Sequence, residues 1–450
     1  MPEELQIIQV RGENEEGISF FYGLGRIGLI IDAGISPLED ITRQEIIDVY
    51  KTLNRLFDAI LLTHTHVDHA RAAVWVALEF GIPIYTTSIG KKFLAYWAKK
   101  DEIDLETVKI NIIQEGDQIQ IGRAKIKVVQ WEHSTPGALG FDIYIGDKHI
   151  LHLGDGKLTG IYPESYHQNL LAIQKVAEKP IDILTMDALG IERRGLTPPE
   201  FPVIDSIAKT VLTGPGKRHF IFMYGSNTER LQGTIGHIMG LLEKDEYKET
   251  RDGGITFLFR GTAIQQAIEI IAEEQDIPNV KKALERRDAK TTVVFGTTGG
   301  EYAFDRRLLQ FSKMNYDEPR ALIIRPGDNV IFSSGFIPHP NPSINKKNMN
   351  EMREFFKNVH SLGANIYVNR GFDRFLEIEP YVKAGSFTTG GHEKRSGLAS
   401  VISVIKPKII IPFHLLPGGL KILKEVAEKA NVLRPINFST MEFGYIAYNE

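Results

Sequence analysis

The stretch Thr63-His64-Thr65-His66-Val67-Asp68-His69 gathers three imidazoles and a carboxylate into seven residues. It follows the apolar run Ala59-Ile60-Leu61-Leu62 and precedes a helix-like segment, Ala70 to Phe80. His64 and His66 alternate as strand neighbours do, so both rings can point at one site. Asp68 and His69 follow once the chain has begun to turn and can reach a second point nearby. Imidazole and carboxylate donors together suit zinc or a similar divalent ion. A solvated His-rich loop is the alternative, and the strand–loop–helix context favours the metal.

Elsewhere in the chain, several strand-like runs end in polar residues. Ile27 to Ile31 leads into Asp32-Ala33-Gly34, and a buried carboxylate there needs partners. Asp32 is expected to hydrogen-bond the metal loop, with strand-end capping as the alternative. Trp131-Glu132-His133 precedes the turn residues Ser134 to Gly137 and presents another imidazole. Lys148 to Leu153 runs into Gly154-Asp155-Gly156-Lys157, whose glycines permit close backbone approach. His149 and His152, inside that strand, read as structural. Ile181 to Met186 ends at Asp187. His392 follows Thr389-Gly390-Gly391, and His414 follows the strand-like Lys408 to Phe413.

From about Phe201 the pattern changes to strands alternating with helices, which implies a parallel α/β unit inserted into the first. Its helices are expected at 229–243, 263–274, 305–313 and 348–362. The expected organisation is residues 1–200, an insert over 201–363, and a return over 364–450.

At 450 residues the chain has room for two domains. Its 42% hydrophobic and 24% charged content is that of an ordinary water-soluble protein. A formal charge of -4 gives no support to a globally basic nucleic-acid binder, while leaving room for a local basic groove. The absence of cysteine excludes disulfides, thiolate metal ligands and a cysteine nucleophile. No apolar run approaches membrane-spanning length, and the acidic start lacks a signal core.

The order Asp32, His64–His69, His133, Asp155, His414 resembles the metallo-β-lactamase fold. Met186-Asp187 through Gly195, Ser226-Asn227-Thr228-Glu229-Arg230, Gly327-Asp328 through Ser334, and Gly391-His392 through His414 sharpen this to its β-CASP nuclease branch, most like ribonuclease J. The resemblance covers nearly the whole chain and is closest to the archaeal forms that lack an extra C-terminal domain. It implies an α/β fold, an αββα sandwich with an inserted β-CASP parallel α/β domain over the catalytic cleft. It also implies two divalent ions, zinc with manganese as the alternative. One would be held by His64, His66 and His133, the other by Asp68, His69 and His414, with Asp155 bridging.

By the same resemblance, Asp68 would orient the attacking water and take up its proton. His392 would contact the scissile phosphate or protonate the leaving oxygen, and Asp187 would fix the ring of His392. Read from their own surroundings alone, His392 is a loop histidine and Asp187 a strand cap. Ser226, Asn227, Ser334 and Gly391 are implied substrate contacts, with ordinary turn chemistry as the alternative. The implied enzyme is a cytoplasmic 5′-to-3′ exoribonuclease, with endonuclease activity also open. Its partner would be single-stranded RNA with a 5′-monophosphate end, away from any membrane, and a homodimer is left open. A hydrolase for DNA or small phosphodiesters or esters, or a non-catalytic RNA-processing subunit, is the alternative.

The chain departs from the ribonuclease J pattern at Thr65, Val67, Gly156, Thr297 to Tyr302, Glu393 and Leu415-Leu416-Pro417. Glu393, where a small residue is usual, is expected to add negative charge near the phosphate path.

Overall fold

The computed structural model describes residues 5–11, 17–36, 40–214, 216–274, 289–298, 323–336, 341–416, 418–430 and 445–446. The chain divides into two compact units, Met1–Pro198 with Gly391–Glu450, and Pro199–Gly390.

The first unit contains two sheets. One runs in the order Tyr445–Ile446, Leu5–Arg11, Ser19–Leu24, Ile27–Ile31, Ala59–Leu61, Ile84–Thr86, Ile110–Ile112. The other runs Ile409–Phe413, Ile183–Asp187, Lys148–Leu153, Leu139–Ile145, Ala124–Gln130, Gln118–Ile121. Tyr22, Leu29 and Leu61 of the first sheet share a core with Phe141, Ile143, Ile150 and Phe413 of the second, so the sheets pack face to face. The outer face of the second sheet offers Leu151 and Leu184 to Ile173, Val401 and Leu423, on helices Ser165–Val176, Arg395–Ile405 and Gly419–Lys429. Outside the first sheet, Phe21, Tyr50, Phe57 and Phe80 meet edge-on, tying helices Arg43–Thr52 and Ala73–Phe80 to it. Helices on both outer faces of two sheets make the expected αββα sandwich.

Strand direction explains where the chemistry collects. Asp32, the 63–69 loop, His133, Asp155, Asp187 and His414 all follow the C-terminal ends of strands in these two sheets. Parallel pairing of Ile27–Ile31 with Ala59–Leu61 sets Asp32 beside Thr63. Parallel pairing of Ile183–Asp187 with Lys148–Leu153 and Ile409–Phe413 does the same for Asp155, Asp187 and His414.

The second unit is one parallel sheet, ordered Ile255–Arg260, Thr291–Thr297, Arg218–Met223, Asn329–Ser333, Asn365–Asn369, Lys383–Gly385. Helices Phe201–Thr213, Thr228–Leu241, Thr262–Glu274 and Pro342–Ser361 separate the strands along the chain. Its central strands read as continuous apolar runs, as strands covered on both faces must. The expected return at 364 comes instead at 391, because Asn365–Asn369 pairs with Asn329–Ser333 and Lys383–Gly385 extends the same sheet. The helix expected over 305–313 lies outside the described residues. Among the described residues, no helix is long and apolar enough to cross a membrane.

Candidate metal centre

The 63–69 loop is held from below by backbone alone. Ile18 N–H donates to the Asp68 carbonyl and Ala33 N–H to the His69 carbonyl, both at 2.6 Å. Ile35 N–H reaches the Val67 carbonyl at 3.1 Å. Gly34 is required here, since a Cβ would fall 1.6 Å from the Asp68 oxygen. Gly154 likewise lets the chain that carries Asp155 pass against Thr63, whose Cβ would stand 2.6 Å from a Cβ on that glycine.

Asp32 anchors the loop's side chains, as expected. One of its oxygens accepts from Thr63 N–H at 2.7 Å; the other accepts from the Thr63 hydroxyl and from His69 Nδ1, also at 2.7 Å. The Thr63 hydroxyl has spent its hydrogen on Asp32, so at 3.0 Å it must accept from His64 Nδ1. His133 Nδ1 donates to the Gly391 carbonyl at 3.0 Å. Each of these three rings therefore carries hydrogen on Nδ1 and turns Nε2 toward the centre. Acceptors behind a histidine select the metal-binding tautomer in this way. Asp32 and His414 both have positive φ, 61° and 52°, a conformation uncommon outside glycine that Asp and His tolerate better than most residues.

Two groups result. His64, His66, His133 and Asp155 form one; Asp68, His69, His414 and Asp155 form the other. Asp155 gives each group a different oxygen. Its Oδ2 lies 4.0 Å from His64 Nε2 and 3.9 Å from His133 Nε2. Its Oδ1 lies 3.2 Å from His69 Nε2 and 3.3 Å from His414 Nε2. Asp68 Oδ2 stands 3.5 Å from His414 Nε2 and 3.7 Å from His69 Nε2.

These residues fit divalent cations. His64 Nε2 is buried with no hydrogen-bond partner among the described residues, a costly arrangement unless something else fills the space. Within the groups, nitrogens face each other at 3.1 Å (His133 Nε2 and His66 Nδ1) and 3.2 Å (His69 Nε2 and His414 Nε2). Two nitrogens bound at zinc distances around a tetrahedral ion stand about 3.3 Å apart. Electrostatics agree. Burial and neighbouring imidazoles drive His64 and His133 well below the ordinary histidine range, which leaves their lone pairs available. At His69 burial acts downward, but Asp155, Asp68 and Asp32 outweigh it and hold the ring well above that range. Burial is likewise outweighed at His414, raised to about 9 by Asp155 and Asp68. The second group thus collects negative charge and attracts a cation, whether proton or metal. The His/Asp clusters are compatible with a divalent metal site.

Beside both groups stands His392, its Nδ1 hydrogen-bonded to Asp187 Oδ2 at 2.8 Å and 3.7 Å from Asp155 Oδ2. Asp187 is pinned through its other oxygen by Leu189 N–H at 2.9 Å. The imidazole centroids of His133 and His414 lie 5.3 and 5.8 Å from that of His392.

The remaining expected site residues have other work in view. Gly391 supports His133 through its carbonyl, and a Cβ there would fall 2.7 Å from the His133 ring. Asn227 caps helix Thr228–Leu241, accepting from Arg230 N–H at 3.0 Å. Ser334 is buried and accepts from the Thr298 hydroxyl at 3.1 Å, whereas Ser226 is exposed. Arg230, ending the same motif, is fully buried on Glu200, with further bonds to the carbonyls of Ser333 and Thr389. Glu393 corrects an expectation outright. It is 1% exposed, and its oxygens accept from backbone N–H groups, so it puts no free charge on a substrate path. Residue types alone did not signal the support from Thr63, Gly391 and Glu393, because it depends on which loop lies behind which.

The chain is similar to several known proteins. Residues 29–192 match the beta-lactamase superfamily domain. Ribonuclease J of Sinorhizobium meliloti is 24% identical over 433 residues, spanning 92% of this chain and 69% of the relative. Ribonuclease J of Mycobacterium tuberculosis is 28% identical over 437 residues, 95% of this chain and 71% of the relative. A crystal structure of a protein of unknown function from Enterococcus faecalis V583 superposes with a TM-score of 0.61. It covers 99% of this chain and all of the other at 15% identity, which speaks to fold alone. Residues 29–192 are thus similar to the beta-lactamase superfamily domain, and the chain is similar over nearly its whole length to ribonuclease J.

Proposed function

We propose that this protein is a two-metal phosphodiesterase that degrades single-stranded RNA from a 5′-monophosphate end, 5′ to 3′. The observation that carries the reading is Asp155, which turns one oxygen to each of two His/Asp groups. His64, His66 and His133 would hold one divalent ion, and Asp68, His69 and His414 the other, zinc being the better match to this donor set. When bound, such ions supply positive charge to a phosphoryl-transfer transition state and make water acidic enough to serve as nucleophile near neutral pH.

The protein's own groups supply the rest. Asp68, with a side chain 13% exposed, is the carboxylate of the second group open enough to orient water and accept its proton. His392 donates through Nδ1 to Asp187, which leaves Nε2 for a phosphate oxygen or the departing 3′ oxygen. Asp187 fixes the tautomer, and together with Asp155 it outweighs burial and raises the affinity of His392 for a proton. A raised proton affinity suits both tasks.

RNA as substrate is supported by the similarity to ribonuclease J through both units of the chain. The test is a cleavage assay with 5′- and 3′-labelled RNA, with and without chelator, against DNA of the same sequence. The reading expects mononucleotides released from 5′-monophosphate RNA, more slowly from 5′-triphosphate or 5′-hydroxyl ends. Equal cleavage of RNA and DNA would overturn it.

A further inference from the structure

Glu393 follows His392 directly, and its side chain is more heavily engaged than any surface loop requires. Oε2 accepts from Leu158 N–H at 2.8 Å and Thr159 N–H at 3.4 Å. Oε1 accepts from Thr197 N–H and Lys394 N–H, both at 2.9 Å. One carboxyl group thus gathers three separate segments of the first unit. They are the stretch after Asp155, the stretch before Pro198, and the start of helix Arg395–Ile405. Two further bonds complete the tie: Glu393 N–H donates to the Gly156 carbonyl at 2.9 Å, and the Thr197 hydroxyl to the His392 carbonyl at 2.8 Å.

The surroundings are shaped to this carboxyl group. A Cβ on Gly397 would stand 2.2 Å from Glu393 Cδ, and one on Gly190 would stand 1.9 Å from the Glu393 carbonyl oxygen. Lys394 and Gly190 meet there in a parallel bridge. A Cβ on Gly156 would collide with Trp131 Nε1 at 2.2 Å. The loop that carries His392 therefore lies in a slot that only these glycines leave open, with Glu393 as the bolt.

We infer that Glu393 is a positioning residue: its buried carboxylate locks the backbone of His392, so that Asp187 meets a ring already in place. The inference rests on His392 acting at the phosphate, as proposed above. A fixed backbone matters there, because a displacement of about 1 Å at a reacting group costs on the order of 100-fold in rate.

Two variants perturb the lock from opposite sides. Glu393→Gln keeps the shape but turns an NH2 group toward two of the four N–H donors, which then lose their acceptor. Gly397→Ala leaves every polar group in place and drives a methyl against Glu393. In a helix that change by itself favours folding, so a loss of function there cannot be put down to helix propensity. Each variant is purified with its metals and measured in three ways: metal content, hydrogen exchange of peptides covering 156–160, 195–198 and 392–397, and turnover of 5′-monophosphate RNA. The expectation is unchanged metal content and exchange about 10- to 100-fold faster in those three peptides only. Turnover should fall by a similar factor while KM stays within about twofold. In a His392→Ala background, Glu393→Gln should cost nothing more, because its effect passes through His392.

Unchanged exchange in both variants would overturn the inference, as would a full, additive loss in the His392→Ala background. A wild-type protein that leaves RNA intact would instead sink the proposed function, and the exchange measurement would still decide the lock.

Discussion

Replacing Asp32 by Asn tests whether residues behind the ligands set the metal affinity. The carboxylate accepts three hydrogen bonds, from Thr63 N–H, the Thr63 hydroxyl and His69 Nδ1, all at 2.7 Å. An amide of the same shape has one oxygen and two settings. With its oxygen toward His69, the NH2 group faces Thr63 N–H at hydrogen-bond distance, donor against donor in a fully buried place. An unsatisfied buried donor costs about 1–3 kcal/mol. With the amide reversed, the NH2 group faces His69 Nδ1, which must then accept. The ring's hydrogen moves to Nε2 and the lone pair that faces His414 and Asp155 is lost. The first setting alone corresponds to about 5- to 150-fold in an equilibrium constant, in line with the about 10- to 100-fold typical of such supporting residues.

The loss should be uneven. On the proposed ligand assignment, an ion held by Asp68, His69 and His414 would weaken by about 10- to 100-fold, and one held by His64, His66 and His133 by less, because Asp32 reaches His64 only through the Thr63 hydroxyl. Competition against a chromophoric chelator, with metal-to-protein ratio measured after dialysis, resolves the two. One tight and one weakened ion is the expected result. Two ions bound as tightly as in wild type would refute the claim that Asp32 sets the tautomer, and loss of both would point to collapse of the loop instead.

His392→Ala should retain both ions and lose on the order of 100-fold or more in turnover, as removal of a proton-transfer group does; metal analysis showing loss of an ion would make His392 a ligand. In the second unit, Glu200→Ala would strand the buried Arg230 guanidinium, whose Nε and NH2 groups it accepts at 3.0 and 3.1 Å. A destabilisation of about 3–5 kcal/mol is expected, read from urea unfolding of that unit. His219 offers a pH test within the second unit. Burial, with help from the charge of Lys217, pushes it to about 4. Between the unfolded value near 6.5 and about 4, the unfolded chain binds the proton and the folded chain does not. Stability therefore falls as pH drops through that window, by about 3 kcal/mol in all. His219→Leu should flatten this part of the pH profile, and parallel profiles for variant and wild type would count against it.

Much of the candidate site was readable from residue order because the residues that converge on it sit where strands end. A strand delivers His64 and His66 on one side, a turn carries Asp68 and His69 onward, and later strands stop at His133, Asp155, Asp187 and His414. These are local facts of spacing and polarity. The inserted parallel unit was visible for the same reason, as apolar strands alternating with helical segments. Its end was not. Asn365–Asn369 looks like any short strand, and only its pairing with Asn329–Ser333 assigns it to the second sheet.

Tertiary structure decided what spacing cannot carry. Residue types could not say that Asp155 gives one oxygen to each group, or that Thr63 relays Asp32 to His64. Those facts arise where sheet register lays one strand end beside another that is distant in sequence. Glu393 marks the difference most sharply. As a letter in the chain it is an extra negative charge beside His392. In the folded protein, backbone amides from three segments converge on that charge, because burying a carboxylate is tolerable only when donors surround it.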